Sequence, residues 1–503
     1  MKYSCSFADI VVILIALSSI SNILLNIYFG TTYTIDQSDA VHNTLSNKNY
    51  DIMTSSLLKK AVAATTAAKS PITTTPIITR DGSGLEMAAC LLIQDQNDQL
   101  IEWIAYHYHI LPLRHLVVAV DPTSVTSPLQ ILQRWNKTTT STSNYDESEH
   151  DNNNHQTNFH MMNIQLWNDN DYIPEINQQW QRHYEQKMKN GDLKELTEDE
   201  LNRFAYQRHI SRQFFFTQKC NQHFKLKKLT WVAHVDTDEY IAFNRINEEE
   251  DKMLNNSKEW KEQIEENEYL RLGLDLRRKL PQHTKQTVMD YLMETNSSWQ
   301  IQRKNQSCLH MHRLLFGACM NHDNNNNLNQ SNDSSLSAQA QLFHDKQVGN
   351  NNIDAFNPEH FRTLRYTYHA KWDNDDSNIG NGRTKCLVDV STLSMDELKN
   401  GFTVHRVVKE ACTEPWRKHI NSILSVQHYL GTVESYMSKA EMDVRRRGNV
   451  YKKKESMACL HGPNKVLQPW LESFVQNVGM KRAKELLKHV GGVAGIGPKY
   501  VGN

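Results

Sequence analysis

Glycine and proline are scarce, at 19 and 12 of 503 residues, while 39% of the chain is hydrophobic. That balance excludes a collagen-like chain and argues against a wholly disordered one. A surplus charge of either sign is also missing: 56 Lys and Arg face 57 Asp and Glu, a formal charge of -1. No global positive field therefore exists to recruit nucleic acid. The chain has no Gly-x-x-x-x-Gly-Lys phosphate loop, no His-Glu-x-x-His zinc helix and no nucleophile elbow. Its cysteines are Cys5, Cys90, Cys220, Cys308, Cys319, Cys386, Cys412 and Cys459, and none forms a Cys-x-x-Cys pair, so a structural zinc site is not expected. With Cys5 set aside they suffice for three disulfides and one thiol, and the sequence does not fix the pairing.

Long apolar runs are nearly absent too. The exception is Ile10 to Phe29, which carries no charge and, at about 1.5 Å per residue, just crosses a hydrocarbon core. We expect an uncleaved anchor at 10–29 behind a short cytoplasmic tail at 1–9, with a cleaved signal peptide as the alternative. The Thr-, Ser-, Ala- and Asn-rich stretch 30–84 reads as a flexible stem. N-x-Ser/Thr acceptors at Asn136, Asn255, Asn296, Asn305, Asn329 and Asn332 agree with a lumenal address.

From Met87 onward the pattern changes. Ala88 to Ile93 is a short apolar strand, Leu100 to Ile110 repeats apolar residues at helical spacing, and His115 to Val120 is a second apolar strand. Strand-helix-strand order is how a parallel α/β sheet begins. A helix is expected over Glu198 to Thr217 and a third buried strand over Trp231 to Val235. Asn247 to Glu268 reads as a charged, exposed segment. Phe361 to Lys371 and Cys386 to Val390 look extended, and a helix is expected from Met437 to Arg447. Polar, low-complexity stretches near 138–160 and 321–340 read as insertions within a domain spanning 85–440. Residues 441–503 read as a basic C-terminal extension with a loose tail from Gly491.

The strongest chemical signal is Trp231-Val232-Ala233-His234-Val235-Asp236-Thr237-Asp238-Glu239-Tyr240. An apolar strand delivers two carboxylates to its carboxyl end, where open α/β sheets bind ligands. In an extended run Asp236 and Asp238 point to one side and Thr237 to the other. Two hard oxygen ligands suit Mg²⁺ or Mn²⁺, which also bind substrate phosphates. An acidic strand-end turn with no ligand is the plain alternative.

Glu102-Trp103-Ile104-Ala105-Tyr106-His107, after a strand containing Cys90, resembles the opening motif of the family 92 glycosyltransferases. Gln94-Asp95-Gln96-Asn97-Asp98 stands where that family usually has Lys-Asn-Glu. Trp231 to Phe243 resembles its Asp-x-Asp-Glu-aromatic block. Met311 to Gly317, Lys385 to Val390, Val404-His405 and His428-Tyr429 are similar to its weaker blocks. The resemblance implies a GT-A-like α/β fold, a type II Golgi membrane protein, a divalent metal and a nucleotide-sugar donor. UDP is the expected nucleotide, and galactose a candidate sugar. On that basis Asp238 is expected to bind metal and Asp236 the metal or the donor ribose. His405 or His428 would supply a third ligand, and Glu102 would contact the donor.

If transfer inverts the sugar, a carboxylate must accept the acceptor hydroxyl proton, and Asp373, Asp375 and Asp376 are the candidates. Two rivals stand beside this reading. One is a glycoside hydrolase using paired carboxylates; the other is a lumenal glycan-binding protein without catalysis. Donor sugar, glycan acceptor, stereochemistry and oligomeric state are not fixed by the sequence.

Overall fold

The computed structural model describes residues 86–136, 160–175, 198–246, 248–283, 287–293, 307–317, 356–370, 384–399, 401–403, 406–408, 422–431, 444–459 and 466–491, with a few single residues between. All fall within one compact unit, Gly82–Asn503. The expected tail, anchor and stem lie outside the described residues, as do the insertion at 321–340 and all but His160 of that at 138–160. Among the described residues no helix is long and apolar enough to cross a membrane.

The first strand, β1 (Met87–Ile93), is apolar throughout and buried on both faces, as a central strand of a covered parallel sheet must be. Helix α1 (Asn97–Ile110) carries the chain back so that β2 (Leu113–Val120) pairs parallel with β1. β3 (Asn163–Trp167) adds parallel outside β2. The long α2 (Glu198–Leu226) then returns the chain, and β4 (Trp231–His234) pairs parallel with β1 on its other edge. The chain thus reverses its direction of travel across the sheet at β1, which opens a crevice beyond the carboxyl ends of β1 and β4.

The remaining strands are β5 (Glu239–Phe243), β6 (Cys308–Gly317), β7 (Tyr368–His369), β8 (Lys385–Asp389) and β11 (Leu424–Tyr429). Between β8 and β11, β9 (Gly401–Thr403) and β10 (Arg406–Val408) form a separate two-stranded sheet. The main sheet is mixed and nine-stranded, ordered β3-β2-β1-β4-β8-β6-β11-β5, with β7 also on β6. β6 is shared by two halves: Cys308–Met311 pair with β8, and His312–Phe316 pair with β11.

This sheet cannot be flat. Four strand spacings separate β4 from β5, about 19 Å in a flat sheet. His234 and Glu239 are five residues apart, a reach of about 18 Å only if fully extended. The chain between them instead doubles back, with the Asp236 amide donating to Glu239 Oε2 at 2.8 Å. The β8-β6-β11 segment must therefore curl and bring β5 close to the end of β4.

Packing follows the period-two alternation of the strands. Ala89, Leu91 and Ile93 face the larger core with α1, whereas Ala88 and Cys90 face α2 through Phe216, Cys220 and Phe224. A Cys90–Cys220 disulfide fastens β1 to α2 across 130 residues of chain. Cys308 and Cys459 each take part in a disulfide as well.

Several expected boundaries shift. Phe361–Lys371 is not extended throughout: Arg362–Arg365 forms a helical turn before Tyr368–His369 pairs with β6. Of the helix expected over Met437 to Arg447, residues 437–443 lie outside the described residues and Val444 to Arg447 are helical. Helix α3 spans Val444–Ala458 and takes up Lys452–Lys454. The C-terminal stretch is no mere extension. Helices α4 (Trp470–Val478) and α5 (Met480–Leu486) bury Trp470, Leu471, Phe474, Ala483 and Leu486 in the main core. Trp470 packs edge-on against Tyr106 and Phe361 at 5.7 and 6.0 Å.

Candidate functional site

β4 is buried along its whole length, and the chain leaves it into Asp236-Thr237-Asp238 at the crevice. Thr237 turns inward, and its Oγ1 donates to Gln99 Oε1 of α1 at 3.1 Å. Asp236 and Asp238 turn outward, with side chains 47% and 14% exposed. The turn is closed by Glu239, whose amide donates to the Asp236 carbonyl at 3.0 Å while its own Oε2 accepts from the Asp236 amide. From behind, the indole Nε1 of Trp103 donates to the Glu239 carbonyl at 3.1 Å, and Tyr106 Oη donates to the Ile241 carbonyl at 2.8 Å. The aromatic residues of α1 thus hold the acidic turn and β5 in place.

Glu239 itself never reaches solvent. Lys385 Nζ lies 3.0 Å from its Oε2, and Arg313 Nε lies 2.8 Å from its Oε1. Lys385 also donates to Asp236 Oδ2 at 2.8 Å. Strand register explains the meeting. β8 runs antiparallel to β4 with Cys386 opposite His234, so Lys385 stands beside the end of β4. Burial opposes the charge on Lys385, but Asp236 and Glu239 outweigh it and hold the amine above its ordinary range. Partial burial opposes ionisation of Asp236 too, and Lys385 outweighs it, so that carboxyl is held below its ordinary range.

His428 of β11 lies directly across from Glu239 in the antiparallel ladder. Its Nε2 is 3.7 Å from Asp238 Oδ2, and the next amide, of Tyr429, donates to the Asp238 carbonyl at 2.8 Å. Burial first, then the neighbouring Arg313 guanidinium, pushes the imidazole down to about 4, so it is neutral at pH 7. Asp238, Glu239 and His428 present potential metal-ligating atoms within 4.8 Å of one another. On the far side Arg362 pairs with Asp98 at 3.2 Å and packs against Gly431, whose φ of +76° suits glycine. Asp238 is among the charges that hold the Arg362 guanidinium ionised against its burial.

Of the residues singled out from sequence, Asp236, Asp238 and His428 converge. Glu102 has a different task. It is buried, with Oε2 accepting from the Arg362 amide at 2.8 Å and Oε1 accepting from the Thr363 amide and hydroxyl at 3.0 and 2.6 Å. It caps the Arg362–Arg365 turn from within the core, a structural task in place of the donor contact expected from sequence. His405, Asp373, Asp375 and Asp376 lie outside the described residues.

Sequence reasoning missed Lys385, Arg313, Arg362, Asp98 and Gln99. Only tertiary structure brings them near the acidic turn, although Lys385 and Arg313 do sit within short apolar runs where a cation is out of place. A second group, Cys308, His310 and Cys386, also lies within 4.8 Å. The disulfide on Cys308 rules out a thiolate there, so it does not suit a thiolate metal site.

Searches against known protein families, curated proteins and solved structures each find no match to this chain.

Proposed function

We propose that this chain is a metal-dependent glycosyltransferase with a GT-A-like fold, which transfers a hexose from a nucleotide sugar, with UDP the expected nucleotide, to a glycan acceptor. One observation carries the reading. β4 delivers Asp236 and Asp238 to the crevice where the sheet reverses its strand order, and the charge of the turn is set by the buried cations Lys385 and Arg313. Crevices of this kind are where open α/β sheets bind nucleotides.

The donor set fits a divalent cation. Lys385 and Arg313 offset the charge of Glu239, Lys385 also pairs with Asp236 Oδ2, and the side chains of Asp236 and Asp238 stay partly exposed. Hard oxygen ligands of this kind suit Mn²⁺ or Mg²⁺, with water and phosphate filling the remaining positions. When bound, such an ion offsets charge developing on the diphosphate leaving group. Thr237, Gln99 and Trp103 hold the acidic turn still, so that little reorganisation is needed as that charge appears. Arg362, near enough for its charge to interact with that of Asp238, adds a positive charge to the surroundings of the acidic turn. Asp373, Asp375 and Asp376 keep their candidacy as the base on sequence grounds.

The same reading places the chain in the Golgi as a type II membrane protein anchored by 10–29. The Cys90–Cys220 disulfide, a bond favoured in oxidising compartments, supports this.

The test is a panel of UDP- and GDP-sugars offered to the purified protein with Mn²⁺ and with chelator. Mn²⁺-dependent transfer or UDP binding that is lost in Asp238→Ala, with the unfolding midpoint retained, is the expected result. Full activity in Asp238→Ala, or metal-independent glycan cleavage, would overturn the proposal.

A further inference from the structure

His428 is the histidine that stands beside the acidic turn, and its place invites the role of metal ligand. The hydrogen bond on its other side argues against that role. Arg313 Nη2 lies 2.9 Å from His428 Nδ1. A guanidinium has donors and no acceptor, so Nδ1 must offer its lone pair to Arg313. Arg313 is not at liberty to turn away, because its Nε is paired with the fully buried Glu239 at 2.8 Å. In the neutral imidazole the proton therefore sits on Nε2, the nitrogen that faces Asp238.

A metal-bound histidine needs the opposite arrangement. Its ligating nitrogen must carry the lone pair, while the other nitrogen donates its proton to a carboxylate, carbonyl or water. Here the outer partner of the ring is a cation. Turning Nε2 into a ligand would bring an N–H at Nδ1 against a guanidinium N–H, inside a buried pocket. Nor is Nε2 spent on Asp238: 3.7 Å exceeds hydrogen-bond length. The His428 Nε2–H, aimed at the acidic turn, can donate to an acceptor oxygen that enters beside Asp238.

We propose that His428 binds an oxyanion rather than the metal: Arg313 fixes its tautomer so that Nε2–H donates to a phosphate oxygen of the ligand held at Asp236 and Asp238. This rests on the proposed function, in that the phosphate belongs to the nucleotide diphosphate. It assigns Arg313 as a positioning residue that acts through His428, and it leaves the metal to carboxylate oxygens, water and phosphate.

The test uses the purified wild-type protein and the variants His428→Gln and His428→Ala. Glutamine keeps an N–H donor in place of Nε2 but is a poor substitute for an imidazole ligand. Mn²⁺ affinity, measured by electron paramagnetic resonance without nucleotide, is expected to stay within about twofold of wild type in both variants. Affinity for inorganic pyrophosphate in the presence of Mn²⁺ is expected to fall about tenfold or more in His428→Ala and to recover largely in His428→Gln, the size of one hydrogen bond to a charged group. Nitrogen NMR of ¹⁵N-histidine-labelled protein, with His428 identified by its loss in His428→Gln, is expected to show Nε2–H both before and after Mg²⁺ is added.

A tenfold loss of Mn²⁺ affinity in His428→Gln overturns the inference and leaves the proposed function standing. A switch to Nδ1–H on adding Mg²⁺ has the same consequence. Failure of the wild type to bind either metal or pyrophosphate overturns both.

Discussion

Lys385 Nζ sits 3.0 Å from Glu239 Oε2, and neither side chain reaches solvent. The two come from β8 and β5, strands separated by β6 and β11 in the sheet order. Their contact depends on the curl that folds β5 back toward the end of β4, so the pair reports directly on tertiary structure.

Removing one partner leaves the other charge buried and uncompensated, which costs about 3–5 kcal/mol. Lys385→Met is therefore expected to lower unfolding stability by that amount. The double variant Lys385→Met/Glu239→Gln is expected to be more stable than the sum of the single changes predicts. Chemical denaturation of all four species checks both statements. Additive effects would show that the two side chains are not coupled.

Glu102→Ala strips the Arg362 and Thr363 amides and the Thr363 hydroxyl of their acceptor. An unsatisfied buried group costs about 1–3 kcal/mol, so a lower unfolding midpoint is expected. Thermal denaturation measures it. If Glu102 instead contacted the donor, nucleotide affinity would fall while the midpoint held.

The Cys90–Cys220 bridge closes a loop across 130 residues. In the chain-entropy account a loop of this size contributes about 5 kcal/mol, and measured values run about 2–5. Cys90→Ala/Cys220→Ala is expected to lose stability in that range. Its far-UV circular dichroism should stay that of wild type, because Cys90 and Cys220 belong to a packed apolar cluster with Phe216 and Val232. A midpoint unchanged in denaturant would refute the prediction.

Burial pushes the imidazoles of His107, His109 and His283 down to about 3. An unfolded histidine takes up its proton near pH 6.5, so below that pH the unfolded chain binds more protons than the folded one. The stabilising contribution of these groups is therefore fully present above pH 6.5. It declines as pH falls, by about 1.4 kcal/mol per pH unit for each histidine, until the folded groups titrate near 3. His283 is a clean probe, since its Nε2 accepts from the Phe243 amide at 2.7 Å, away from the acidic turn. His283→Gln is expected to reduce the stability lost between pH 7 and pH 5 by about 2 kcal/mol. Denaturant unfolding of both proteins at the two pH values checks it.

Much of the framework was legible because it is encoded locally. The apolar runs read at Ala88–Ile93, His115–Val120 and Trp231–Val235 fall on buried strands β1, β2 and β4, and the helical spacing around Trp103 and Tyr106 places those rings in the core. The shift at Arg362–Arg365 was not legible, because the group that caps this turn is Glu102, some 260 residues earlier. Nor was the burial of Trp470 and Phe474, since the basic residues before them mask an apolar helix face that shows only when it meets α1.

For the candidate site the division is sharper. The sequence by itself determined that an apolar strand ends in two carboxylates, because an apolar run is a local property; the extended run expected for Asp236–Asp238 is instead a turn, closed by the Glu239 amide on the Asp236 carbonyl. Only the tertiary structure decided what those carboxylates meet. Lys385, Arg313 and His428 arrive on three other strands, and strand register together with the curl of the sheet puts them within about 4 Å of the acidic turn. Register and curl arise from long-range pairing, where each strand is fixed by neighbours distant in sequence, so no local pattern around Asp236 could have announced them.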